Sequence, residues 1–303
     1  MKILKNPRLL IIVSMTMFGT IGLFVKYIPL SSGEIALYRA LLAIALLGTF
    51  LLVTKQKIDF KAIKKDIPLL AISGMAMGVN WILLFEAYRY TTVSVATLSY
   101  YFAPVIVTIV SPILFKEKLT VKQIICFVMS TVGIVLLTGI GDLSSGSSNL
   151  KGIIFGLSAA VFYATVVLSN KYIKGVSGIN RTFLQFIGSI IVLIPYVLLT
   201  DGINLGVLDE IGWVCLLAVG LIHTGVCYCM YFSSLKELKG QEAAILSYID
   251  PLVAVLVSLI FLNESMNELQ IIGGLLILGF SIWNEVSFTK KKEQVIESEI
   301  NRE

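Results

Sequence analysis

The sequence predicts an all-α polytopic membrane protein, with ten transmembrane helices arranged as two inverted five-helix repeats. Three observations carry this: an apolar composition, an internal duplication and an uneven distribution of basic residues. Of the 303 residues, 57% are hydrophobic and only 14% charged, and the mean hydropathy is +0.90. A soluble domain has roughly a quarter of its residues charged. A water-soluble fold of this length has no interior large enough for so much apolar surface, so its solvent is lipid.

The duplication is legible residue by residue. Ala96-Thr-Leu-Ser-Tyr-Tyr-Phe-Ala-Pro104 is followed by Glu117 and Gln123-Ile-Ile125, and Ala243-Ala-Ile-Leu-Ser-Tyr-Ile-Asp-Pro251 is followed by Glu264 and Gln270-Ile-Ile272. The offset of 147 also pairs Leu69-Leu-Ala71 with Leu216-Leu-Ala218, Tyr101 with Tyr248, and Ser111 with Ser258. Each copy is about half the chain. Each places a proline, Pro104 or Pro251, in a long apolar run, where a helix loses a backbone hydrogen bond and tends to kink. In a membrane such a break is tolerated where it faces protein or a water-filled cavity. The repeated segments are therefore the expected working part, with the two prolines as hinges.

In chain order, a basic lead from Met1 to Arg8 precedes a first span from Leu9 to Val25, closed by Pro29 and Ser31-Ser-Gly33. No small-x-small cleavage site follows, so the segment reads as a retained helix. Spans two to five are expected at Glu34–Val53, Ile67–Tyr88, Val93–Phe115 and Val121–Gly139. Thr54–Asp66, with five lysines, is a solvated loop, and Gly74-x-x-x-Gly78 in the third span is a close-packing signal. Residues 141–149, rich in Gly and Ser, form a linker between a first repeat, 1–140, and a second, 150–288, with a charged tail at 289–303. The second repeat holds spans at Gly152–Asn170, Phe183–Thr200, Trp213–Leu235, Ala243–Leu262 and Leu269–Phe288. Each is near the ~20 residues needed to cross the hydrocarbon.

With the amino terminus inside the cell, twenty of the twenty-four Lys and Arg fall on the cytoplasmic side. Lys26, Arg89 and Lys151 fall outside, and Arg39 lies within a helix. The positive-inside rule selects this orientation, placing both termini in the cytoplasm and residues 141–149 outside. Five spans per copy is an odd number, so the second copy crosses the opposite way up. Lys26-Tyr27 and Lys171-Tyr172, 145 apart, accordingly fall on opposite sides. Inverted repeats around a midplane site are a recurring plan of secondary transporters. The net charge of +5 sets orientation and does not mark a nucleic-acid partner.

On these residues the chain resembles the EamA-type transporters of the drug/metabolite transporter superfamily, over about residues 7 to 287. The likeness rests on the ten spans, the apolar-Tyr-x-x-Pro segments ending at Pro104 and Pro251, Glu117 and Glu264 thirteen residues on, and Gly133 and Gly279 in the closing helices. It implies a central cavity walled by the third, fourth, eighth and ninth helices with the first and sixth, the fifth and tenth lying peripherally. It also implies movement of small metabolites such as amino acids across the cell membrane.

Polar groups at membrane depth are costly and each needs a reason. Asp250, before Pro251, reads as a site for a proton or a substrate ammonium, or as a brace on the kinked backbone. Its repeat counterpart is Ala103. His223, the single histidine, reads as a satisfied core histidine or as a proton carrier, and is the nearest candidate partner of Asp250 by depth. Asn80, Trp81, Tyr100, Tyr101, Tyr163, Tyr228 and Tyr248 offer aromatic walls with hydrogen-bonding groups, suited to an amphipathic ligand. Arg39 is expected to pair with Glu34 or to snorkel outward, a substrate-carboxylate role being the alternative. Glu86 and Arg89 read as a local ion pair. Glu117 and Glu264 read as braces of the helices that follow them.

Cys126, Cys215, Cys227 and Cys229 sit in apolar runs and read as small buried hydrophobes. No P-loop, His-Glu-x-x-His or Gly-x-Ser-x-Gly motif is present. The expectation is a transporter and not an enzyme, without cofactor or metal, whose partners are a small-molecule substrate, the lipid bilayer and, as a candidate, protons. It leaves open monomer or homodimer. A membrane enzyme acting on a lipid head group would need an interfacial cluster of His, Asp or Glu, and a channel a continuous polar stripe. Both remain alternatives that fit the residues less well.

Overall fold

The computed structural model describes residues 6–56, 58–115, 120–138, 148–176, 178–200, 202–235, 237–238 and 240–300. The linker at 141–149 lies largely outside them, as do Glu117 and Ser145. The described residues form helices and turns only. The first span is α1 (Pro7–Gly19) with α2 (Ile21–Lys26), broken at Thr20; the second is α3 (Ser32–Val53). After the short α4 (Phe60–Ile63) come the third span, α5 (Ile67–Tyr90), and the fourth, α6 (Val93–Tyr100) with α7 (Ala103–Phe115). The fifth is α8 (Val121–Thr138), the sixth α9 (Ser148–Tyr172) and the seventh α10 (Gly178–Leu199). The eighth joins α11 (Glu210–Leu217), a π-helical segment (Ala218–Val226) and α12 (Cys227–Leu235). The ninth is α13 (Gly240–Ser247) with α14 (Ile249–Phe261), and α15 (Glu268–Ile300) contains the tenth. Among the described residues seven helices are long and apolar enough to cross a membrane, and three shorter apolar helices stand at the fifth, ninth and tenth positions.

Local chemistry explains the boundaries. Ser31 and Glu34 form a capping box at the start of α3. The repeated glutamines do the same in both copies. Gln123 Oε1 accepts from Thr120 N at 2.8 Å while Gln123 N donates to Thr120 Oγ1. Gln270 Oε1 accepts from Asn267 N at 3.0 Å while Gln270 N donates to Asn267 Oδ1. The duplicated Gln-Ile-Ile is therefore a helix-start signal. The duplicated prolines differ from the simple expectation of a kink inside a continuous helix. The chain breaks just before each, between α6 and α7 and between α13 and α14, and Pro104 and Pro251 occupy the first turn of the second segment, where the missing N–H costs no intrahelical bond. The prolines inside helices are Pro112 and Pro195.

The spans meet in exchanged pairs. The third contacts the sixth and seventh, and the eighth contacts the first and second; the fourth meets the sixth as the ninth meets the first. The second and seventh, fourth and ninth, and fifth and tenth pair with their own counterparts. This is the contact pattern of a pseudo-twofold relation between five-helix copies. Gly74 is a site of close approach, since a Cβ there would stand 2.8 Å from Gly188 Cα in α10. The fifth and tenth spans meet at Gly133, whose added Cβ would stand 2.7 Å from Gly273 O. The repeat partner Gly279 has open space around it, so the glycine contact at the periphery uses Gly273 instead. Cys126, Cys215 and Cys227 are buried, as read from their apolar runs.

Candidate substrate cavity

A cavity of about 440 Å³ lies between the two copies. It is walled by the first, third, fourth, sixth, eighth and ninth spans, and by Arg39 from the second. Asn80, Trp81, Tyr100, Tyr101, Tyr163, Tyr228, Tyr248 and Asp250 all line it, together with Pro104. Pro251 is buried behind Asp250. The helix break before Pro251 is what turns Asp250 toward the cavity, because the first turn of α14 starts there. Helix α1 crosses close behind it: a Cβ on Gly19 would stand 2.7 Å from Val253 Cβ.

The repeat brings its own copies face to face. Tyr101 O–H donates to Asp250 Oδ2 at 2.6 Å, a bond from one copy to the other, and the rings of Tyr101 and its counterpart Tyr248 lie 6.1 Å apart. Tyr100 extends this wall to Tyr163, with ring centroids 5.4 Å apart. Asn80 Nδ2 donates to Ala159 O at 2.7 Å, tying the third span to the sixth. Trp81 stands edge-on to Phe186, and Phe186 to Tyr228. The interior thus offers ring faces for an apolar body and a carboxylate for a cationic or hydroxylic head.

Two expectations change. His223 does not meet Asp250 and is not a wall residue. Its Nε2 is 2.8 Å from Thr20 Oγ1 and its Nδ1 3.1 Å from Ala218 O, so both ring nitrogens brace the eighth span and the broken first one. Arg39 neither pairs with Glu34 nor snorkels. Residues five apart on a helix lie about 140° apart around it, and the two side chains diverge. Glu34 caps α3 and accepts from Asn204 N at 2.6 Å. Arg39 is 5% exposed; its Nε donates to Thr224 Oγ1 at 2.7 Å and its Cζ lies 4.5 Å from the centre of the Trp81 ring. The Glu86–Arg89 pair is present at 3.7 Å.

Sequence reasoning also missed Tyr88 and Tyr231, which line the cavity without a motif to mark them, and Thr97, which lies within the repeated segment. Glu264 differs from expectation too. It accepts from Val93 N at 2.7 Å and Ser258 Oγ at 2.5 Å and faces Lys26 Nζ at 3.3 Å, so it caps α6 of the other copy. This contact lies at the end of the bundle that holds Lys26. Around it the wall residues Tyr88, Thr97 and Ile21 are buried, whereas Tyr163 toward the Pro7 end is 41% exposed. At the Lys26 end the cavity wall is thus buried.

A polytopic helical membrane protein built of two five-helix copies around one such cavity is the architecture of a transporter. The EamA-like transporter family model matches residues 7–139 and again 150–284, and the chain belongs to that family, within the drug/metabolite transporter superfamily. It is 31% identical over 270 residues to the uncharacterized transporter YxxF of Bacillus subtilis (strain 168), covering 88% of this chain and 85% of that one. It is 28% identical to an uncharacterized transporter of Archaeoglobus fulgidus, covering 88% and 92% of the two chains. To protein PecM of Dickeya dadantii it is 26% identical, covering 75% and 76%. A solved crystal structure superposes with a TM-score of 0.63 over 91% of this chain and 95% of its own, at 13% identity, which shows the fold alone.

Proposed function

We propose that the protein is a secondary transporter that moves a small metabolite, an amino acid or a related compound, across the cytoplasmic membrane by alternating access through the central cavity. The observation that carries this reading is the single cavity wall built from both copies, with Asp250 and Tyr101 joined across it among aromatic rings. Asn80, Trp81, Tyr100, Tyr101, Tyr163, Tyr228, Tyr248 and Asp250 are the proposed substrate contacts, and His223 supports them from behind. Residues 1–140 and 150–288 act as two repeat units. Purified protein in liposomes, assayed for uptake and efflux across an amino-acid and metabolite panel with and without a pH gradient, tests the proposal. Saturable flux of a panel member is expected, and absence of any flux above empty liposomes overturns it.

The orientation rests on the basic residues. Both termini and the Lys55–Lys65 loop are cytoplasmic, and the Lys26 end faces out. In a cysteine-free background an impermeant thiol reagent applied to intact cells should label a cysteine at Ser145 and spare one at Lys61. The reverse pattern would overturn the orientation. The breaks before Pro104 and Pro251 are the proposed hinges between inward-open and outward-open forms, because no continuous hydrogen-bond ladder crosses them. Pro104→Ala and Pro251→Ala are each expected to slow turnover several-fold while leaving yield and thermal stability intact. Unchanged turnover in both would reduce the prolines to packing features.

A further inference from the structure

Arg39 and Asp250 are the two charged residues of the cavity wall, and among the described residues neither makes an ion pair. Arg39 is 5% exposed. Among the described residues its single hydrogen bond is Nε to Thr224 Oγ1, and no carboxylate lies within 4.0 Å of it. Burying an unpaired cation is expensive, and the ring face of Trp81 at 4.5 Å offsets only part of that cost.

The site is built, and its builder is the π-helical segment of the eighth span. That register lets the Thr224 hydroxyl donate to Val219 O, five residues back, at 2.7 Å. With its hydrogen so committed, Thr224 Oγ1 turns a lone pair to Arg39 Nε. Such π segments recur at functional sites. Nε is anchored and one ring face is covered, so the four N–H bonds of the terminal nitrogens are left for a partner. A planar fork of this kind matches a carboxylate.

We propose that Arg39, positioned by Thr224, is the anion subsite of the cavity and binds a carboxylate of the transported molecule. This rests on the transport reading above and narrows the substrate class. A single guanidinium opposite the Asp250 carboxylate suits a monoanionic group and disfavours a phosphate dianion. Arg39 and Asp250 put two opposite charges on one cavity wall that also holds aromatic rings. The complementary ligand is a zwitterion, its carboxylate on Arg39, its ammonium on Asp250 and an apolar body between Trp81, Tyr100 and Tyr228.

The test uses purified full-length protein and thermal shift with three matched sets of probes: the twenty amino acids, their amides, and the corresponding carboxylic acids lacking the amine. Wild type should be stabilised by at least one amino acid, with the matching amide at least tenfold weaker. Arg39→Gln should abolish that preference for acid over amide. Thr224→Val keeps the charge and removes its anchor, and should weaken acid binding about tenfold with amide binding unchanged; Arg39→Lys should restore part of the acid binding. Equal stabilisation by acid and amide in wild type, or an undiminished acid preference in Arg39→Gln, overturns the subsite. Should Arg39→Gln not fold, Thr224→Val with unchanged acid binding overturns it equally. Liposome flux of a compound lacking any carboxylate, with no carboxylate-bearing panel member carried, would leave the transport reading standing and overturn this one.

Discussion

Asp250→Asn is expected to abolish the pH dependence of transport and to weaken recognition of amine-bearing cargo about ten- to a hundredfold, with insertion and purification unaffected. The substitution keeps the shape and leaves an acceptor for the Tyr101 hydroxyl, now 2.6 Å away, so only the charge is lost. A hydrogen bond to a charged group contributes about 1.5–3 kcal/mol, and each 1.4 kcal/mol is about a tenfold change in affinity, which sets the expected range. Tyr101→Phe should have a smaller effect, because it leaves the carboxylate and removes one donor. An Asp250→Asn protein with wild-type rate, pH profile and substrate preference would sink the assignment and leave Asp250 as a brace of the broken ninth span.

Glu264→Ala is expected to open the Lys26 end. Glu264 Oε2 caps α6 through Val93 N and Ser258 Oγ, and Oε1 faces Lys26 at 3.3 Å. A carboxylate at a helix N-terminus contributes about 0.3–1 kcal/mol and up to ~2 when partly buried. A surface ion pair adds up to about 1 kcal/mol. Losing both shifts a two-state equilibrium by roughly tenfold or more. The repeat supplies the counterpart at the other end: offset by 145 to 147 residues, Lys171, Glu117, Ser111 and Gly240 stand for Lys26, Glu264, Ser258 and Val93. Lys171 Nζ donates to Ser111 Oγ at 2.8 Å. Breaking the Glu264 latch should therefore favour a form open at the Lys26 end. A cysteine at Thr97, labelled from outside in intact cells, reads this out: labelling should rise about tenfold on adding Glu264→Ala. No change in labelling would make Glu264 a static cap. A gain in stability with no change in labelling would do the same.

Some of the site was legible in the chain because it repeats. The offset pairs Tyr101 with Tyr248, which face each other in the cavity, and Asp250 stands out in sequence as an acid within a span, directly before Pro251. Arg39 was misread for a local reason. Glu34 is the nearest acid in sequence, and the actual partners, Trp81 and Thr224, lie 42 and 185 residues away. His223 shared the depth of Asp250 but faces another side of its helix, toward Thr20. Depth along a span follows from counting residues; azimuth depends on the neighbours, and the π-helical segment shifts it further.

The sequence by itself determined the solvent, the number of spans and the inverted duplication. These are one-dimensional properties: hydropathy summed over ~20 residues and a residue pattern repeated at a fixed offset. The capping glutamines Gln123 and Gln270 and the prolines Pro104 and Pro251 repeat in the sequence, but that they start helices and follow full breaks was seen only in the structure. Only the tertiary structure decided which polar groups share the cavity. Tyr101 reaches Asp250 across 149 residues of chain, Val93 reaches Glu264 across 171, and Arg39 reaches Thr224 across 185. Such contacts are set by how two five-helix copies interlock, and no local propensity encodes the rotation of one helix against another.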